Sequence, residues 1–148
     1  GNPPLVLQKE NDQLQLRGFI DRVDTNEAGE LRIIDYKLGG KTAFSERAFQ
    51  NGEKLQLPLY ALAVEHALKL GKVSDGFYFH FKKGEKSGMQ LAKYGDGPEQ
   101  AAESAVAHAW EAVKQARAGN FQPTPPSGGC PSYCPAASWC WRYTSAGF

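Results

Sequence analysis

The chain has 148 residues, of which 41% are apolar and 22% charged, so one domain with a real core is within reach and long disorder is excluded. Its formal net charge of +1 excludes a sequence-indifferent basic coat for nucleic acid; any such binding must use a local patch. No apolar run approaches the roughly 20 residues of a membrane span, and nothing resembles a signal peptide, which makes a cytoplasmic protein with no membrane partner the expectation.

Residues 4–9 (PLVLQK) and 14–24 (LQLRGFIDRVD) read as strands separated by the turn signal Asn11-Asp12, and TNEAGE leads into a third strand, LRIIDYK, over 31–37. The opening stretch is thus expected to be a three-stranded meander. Glu53 to Leu70 is rich in helix formers and apolar on nearly all sides, as suits a buried helix; Pro58 must kink it or lie in its first turn. Ser74–Lys82 has the aromatic content of a strand. KKGEKSG then reads as an exposed turn into a last short strand, MQLAKY.

Pro98 to Ala118 carries the clearest helical signal. Proline opens it, acids fill its first turn, Ala102, Ala105, Val106, Ala109, Trp110 and Val113 recur at helical spacing, and Gly119 follows as a stop. Beyond it the chain is rich in Pro, Gly and Cys. The element order implies an α/β layer fold with a mixed or largely antiparallel sheet. The division expected is a core over 1–120 and an irregular Cys-rich tail over 121–148 packed on the same domain.

Acids and a base interrupt the strands at 18–40. Side chains alternate along a strand, so Asp35 and Lys37 share a face and Tyr36 takes the other. A turn centred near Ala28 sets Asp21 across from Asp35, with Cβ atoms about 4.5–5.5 Å apart. Opposed carboxylates repel unless a cation lies between them, and an all-oxygen pair suits magnesium or manganese. A lysine on the same face can hold a phosphate oxygen or orient water, which points to phosphoester chemistry. The alternative makes Asp21 and Asp35 turn caps, or surface partners of Arg22 and Lys37.

GFIDRVD, then IIDYK followed by Gly39, then QLPLY over 56–60, resemble in order and spacing the motifs of the RecB-like branch of the PD-(D/E)XK nuclease superfamily. The resemblance covers Gly18 to about Ala63. It implies a restriction-endonuclease-like core, a central mixed sheet flanked by helices. It also implies Asp21 and Asp35 as ligands of Mg²⁺ or Mn²⁺, the Tyr36 carbonyl as a further ligand, Lys37 as the catalytic lysine, and Gln56 and Tyr60 as the helix motif facing the site. Leu38 departs from the family's usual threonine. The family's upstream metal residue, an acid or histidine on a helix, has no counterpart, because the acids before Asp21 are Glu10 and Asp12 at a turn. The chain resembles the C-terminal part of a larger nuclease domain.

Cys130, Cys134 and Cys140, spaced C-x3-C-x5-C, suit zinc or an iron–sulfur centre, either of which ordinarily takes four ligands. The position after the last helix resembles the iron–sulfur staple of AddB-like nuclease domains, which implies a [4Fe–4S] cluster completed by an upstream cysteine. Trp139, Trp141 and Tyr143 are expected to shield these cysteines. The function expected is a Mg²⁺-dependent deoxyribonuclease domain acting on DNA within a bacterial helicase–nuclease of double-strand-break repair, beside a helicase domain or subunit. The rivals are a catalytically silent DNA-binding or scaffolding module and a zinc-stabilised RNA-processing enzyme.

Overall fold

A computed structural model describes residues 1–38, 41–125 and 129–143; Gly39, which follows the lysine motif, lies outside them. Two compact units are present, Gly1–Trp110 and Glu111–Phe148. Among the described residues no helix is long and apolar enough to cross a membrane.

In the first unit β1 (Leu5–Lys9) and β2 (Asp12–Leu16) form a separate antiparallel hairpin. A four-stranded sheet of order β3-β4-β5-β6 follows, built from Arg22–Thr25, Leu31–Lys37, Val73–His80 and Glu85–Gln90. Strand β4 pairs antiparallel with β3 and parallel with β5, while β6 returns antiparallel to β5. The sheet is therefore mixed, as expected of an α/β layer fold.

The predicted single strand over 14–24, and with it the three-stranded meander, is corrected. The chain breaks at Arg17–Asp21 and leaves one hairpin before entering the main sheet. Gly18 lies within this break, in ordinary van der Waals reach of the Tyr60 ring, and a glycine inside a strand pattern weakens the strand because it brings no side chain to pack. The turn at 26–30 closes as the sequence suggests: Asn26 N–H donates to the Glu30 carbonyl at 3.0 Å, Glu30 N–H to Asn26 Oδ1 at 2.9 Å, and Gly29 takes φ +80°.

Helix α1 (Glu46–Gln50), capped by Ser45 Oγ accepting from Ala48 N–H, occupies a stretch that carried no prediction. The helix predicted over 53–70 is shorter. It runs as α2 (Gln56–Leu62) and relaxes into one π turn, Ala63–Ala67, where Leu68 N–H donates to the Ala63 carbonyl at 2.8 Å. Pro58 lies in the first turn of α2, where its missing N–H has no intrahelical acceptor to satisfy. Strand β6 begins at Glu85, earlier than predicted, because His80 pairs with Glu85 and the turn needs only 81–84. Leu91–Lys93 is a 3-10 turn instead of strand.

Helix α3 spans Pro98–Arg117. Its residues Ala101 and Ala105 join Ile33 of β4, Phe49 of α1, Leu57 and Ala61 of α2, Tyr78 of β5 and Met89 of β6 in one buried cluster. Helices thus cover the face of the sheet from which Leu31 and Ile33 project. The second unit holds the end of α3 and a series of turns, including Cys134 N–H to the Pro131 carbonyl at 3.0 Å and Cys140 N–H to the Ala136 carbonyl at 2.8 Å.

Ile33 is fully buried in the central strand. Replacing it by alanine is expected to cost about 2–5 kcal/mol, through lost transfer energy and the cavity left behind. Urea unfolding monitored by circular dichroism measures the loss.

Candidate active site

Strand β4 is an inner strand of the sheet, flanked by β3 and β5, so a polar side chain near its end is enclosed. The β3–β4 register pairs Arg22 with Ile34 and Thr25 with Leu31; continued by one residue, it sets Asp21 opposite Asp35 about a turn centred on Ala28. The Tyr36 N–H donates to Asp21 Oδ2 at 2.9 Å and holds that carboxylate at the strand end. Asp35 is 3% exposed, against an ordinary surface position for Asp21.

Lys37 answers the buried charge. Its Nζ lies 2.5 Å from Asp35 Oδ2 and 3.0 Å from Gln56 Oε1, to which it donates. Gln56 Nε2 in turn donates to the Tyr60 hydroxyl at 3.1 Å, one helical turn further along α2. Tyr60, Gln56, Lys37 and Asp35 therefore form one continuous polar chain from helix to strand. The rings of Phe44 and Tyr78 each lie 5.4 Å from the Lys37 ammonium and close its sides.

Phe44 and Tyr78 are functional neighbours that no motif spacing indicates. Each reaches the site only through the tertiary fold, from a turn after β4 and from β5. Burial keeps the Tyr78 hydroxyl protonated, well above its ordinary range, and it donates to the Lys54 carbonyl at 2.9 Å.

Burial pushes the Asp35 carboxyl above the ordinary carboxylate range; the hydrogen-bonding and charge of Lys37 pull it down, and the Asp21 charge raises it again. The Lys37 ammonium is the close partner of Asp35 Oδ2. A buried carboxylate whose charge is opposed by a second one at the same strand end is the chemistry of a divalent-cation seat. The all-oxygen donors fit magnesium or manganese better than softer metals. Among the described residues no set of three or more His, Cys, Asp and Glu side chains gathers at one point; the carboxylates at this strand end are Asp21 and Asp35. Glu10 and Asp12 lie at the β1–β2 turn.

A cleft of 690 Å³ opens over these groups. Arg17, Phe19, Asp21, Asp35, Lys37, Gln56 and Tyr60 are among its lining residues. The opposite face of the sheet carries Tyr36, whose ring stacks on Phe81 at 4.7 Å and accepts a hydrogen bond on its hydroxyl from Arg22 at 3.2 Å. Lys86, near the hairpin tip, lies 3.9 Å from the centroid of Phe77 on that face, while Lys82 and Lys83 are exposed.

The three cysteines are free thiols, Cys130 buried and the other two half-buried, and they do not converge as a metal-binding set among the described residues. Trp139 and Trp141 do not shield them: both are exposed, at 76% and 70%, and Arg142 packs on the Trp141 ring. Tyr143, the third aromatic residue expected to cover the cysteines, is half-buried.

A family model for the PD-(D/E)XK nuclease superfamily matches residues 4–141. The chain is 31% identical over 94 residues to an ATP-dependent helicase/deoxyribonuclease subunit of Streptococcus mutans, covering 56% of this chain and 9% of that protein. It is 44% identical over 71 residues to the protein of the same name in Clostridioides difficile, covering 45% of this chain and 6% of the relative. A match of 34% identity over 96 residues to the Gene 69 protein of Mycobacterium phage D29 covers 64% of this chain and 32% of the phage protein. The chain thus spans a small part of the length of these curated relatives.

The raised Asp35 titration has a sign in stability. Below about pH 4 both folded and unfolded states hold the proton. As pH rises toward the raised value, the folded state keeps a proton that the unfolded state releases, and metal-free stability falls before levelling off. Chemical denaturation of metal-free wild type against Asp35→Asn across this range is expected to show the wild type losing ground as pH rises. A difference independent of pH contradicts the buried, charge-frustrated carboxylate.

Proposed function

The chain belongs to the PD-(D/E)XK nuclease superfamily, and from that premise we propose that it hydrolyses DNA phosphodiester bonds with Mg²⁺ or Mn²⁺ held by Asp21, Asp35 and the Tyr36 carbonyl. Its mixed sheet with packed helices is the restriction-endonuclease-like core of that superfamily. The observation that carries the reading is the polar chain Tyr60–Gln56–Lys37–Asp35 ending beside Asp21 in one open cleft. A surface ion pair needs no such support; a lysine whose ammonium must stay in one place does.

When bound, the divalent cation supplies Lewis-acid stabilisation of the charge that grows on the phosphoryl and leaving oxygens and an acidified water. The chain's own residues do the rest. Lys37 presents a fixed positive charge to a non-bridging phosphate oxygen and to the attacking water. Gln56 fixes the direction of that ammonium, and Tyr60 fixes Gln56. Phe44 and Tyr78 limit the water around the ammonium and so lower the screening of its charge.

The names of the relatives support placing this activity in a helicase–nuclease, with a helicase domain or subunit as partner; double-strand-break repair as the process is part of the same proposal. An iron–sulfur centre on Cys130, Cys134 and Cys140, completed by a thiolate from outside the described residues, belongs to the same proposal. The described thiols form no ligand set by themselves, and no catalytic step runs through such a centre. Iron and sulfide content after anaerobic purification reads it out.

Lys37→Ala is expected to lower the rate of DNA cleavage by about 10²–10³, and Asp35→Asn to abolish cleavage while leaving the fold in place. Gln56→Ala, which only frees the ammonium, is expected to have a smaller effect than Lys37→Ala. Cleavage of end-labelled oligonucleotides in Mg²⁺ with the full-length protein measures all three. Wild-type rates in Lys37→Ala contradict the assignment.

A further inference from the structure

Among the described residues the most exposed large apolar side chain is Phe19, at 90%, and it lies on the rim of the cleft that holds Asp21, Asp35 and Lys37. Scattered apolar residues on a surface need no explanation. Phe19 differs in how it is carried. Gly18 passes beside the Tyr60 ring, where an added Cβ would make ordinary contact at 3.4 Å from Cε1, so the backbone before Phe19 runs next to a member of the polar chain that reaches Lys37. Arg17, exposed on the other side of Gly18, lines the same cleft.

The loop thus sets a flat apolar ring and a guanidinium beside a centre built to attack a phosphodiester. A nucleotide offers the complementary pair: an apolar base face, and a phosphate for which arginine provides planar, two-pronged recognition. Resting on the nuclease reading above, we propose that Phe19 is a substrate-positioning residue whose ring stacks on a nucleobase next to the scissile phosphate, with Arg17 holding an adjacent backbone phosphate. Stacking a ring on a base requires that base to be unpaired or terminal. The loop therefore selects where along a strand the cleft can seat.

The test uses the full-length protein with Ca²⁺ in place of Mg²⁺ to hold turnover, and single-stranded oligonucleotides carrying the fluorescent base 2-aminopurine at successive positions. Wild type and Phe19→Trp are expected to quench the probe at one position. Phe19→Ala is expected to lose that quenching, to bind about 5- to 150-fold more weakly, and in Mg²⁺ to show a raised KM with kcat changed far less. Arg17→Ala is expected to keep the quenching, weaken binding at every probe position, and lower the salt dependence by about one ion.

Position-specific quenching and affinity retained in Phe19→Ala overturn the proposal. So does a Phe19→Ala protein that loses stability but not quenching, which would make the ring the seat of another protein segment. The nuclease reading fails separately, on wild-type cleavage by Lys37→Ala. A dead Lys37→Ala beside a neutral Phe19→Ala sinks only the stacking role.

Discussion

The register of β3 on β4, carried one residue past its last pair, and the Tyr36 N–H bond to Asp21 Oδ2 bring Asp21 to the strand end that holds Asp35, and the rest of the site depends on that placement. Side chains repeat every two residues along a strand, so a slip by one would send Asp35 and Lys37 to the opposite face and Tyr36 into the cleft. Two constraints hold the register. The Asn26–Glu30 turn, with Gly29 at positive φ, allows one closure of the hairpin. Leu31 and Ile33, both buried, anchor the same face of β4 as Asp35 in the core beneath α2 and α3. Apolar packing thus fixes where the acids go, although the acids contribute nothing favourable to that packing themselves.

Their presence has a cost in the metal-free molecule. Asp35 is buried with its charge opposed by Asp21 and relieved mainly by Lys37. On the proposed reading a carboxylate stands here in place of an apolar residue because one fully satisfied by protein donors has little affinity left for a cation. The lysine is in turn kept from collapsing onto Asp35 alone by its second hydrogen bond, to Gln56. A carboxylate in need of charge and a lysine held by two partners are consistent with a site that gains its full stability when a cation and a phosphate arrive.

Much of this was legible in the residues. Alternation gave the shared face of Asp35 and Lys37, the length of the turn gave the opposition of Asp21, and the i, i+4 spacing put Gln56 and Tyr60 on one side of α2. What composition could not reveal came from longer range. The strand read through 14–24 breaks at 17–21 around Gly18, which lies beside Tyr60, 42 residues away in the chain. Phe44 and Tyr78, whose rings flank Lys37, lie on elements with no motif of their own. Helix α1 is too short for periodicity to announce it. The indoles near the cysteines misled for a related reason: aromatic residues beside a candidate site suggest a cover, but a chain of tight turns leaves them facing solvent.

The claim on which all else rests is that the hairpin carboxylates seat a divalent cation. Titrating Mn²⁺ into the isotopically labelled protein and following paramagnetic broadening of the backbone amides tests it directly. The account predicts that Asp21, Asp35 and Tyr36 broaden first, and that Asp35→Asn removes this early broadening. Early loss of signal confined to exposed acids such as Glu99 and Glu103, with the hairpin untouched, would contradict it.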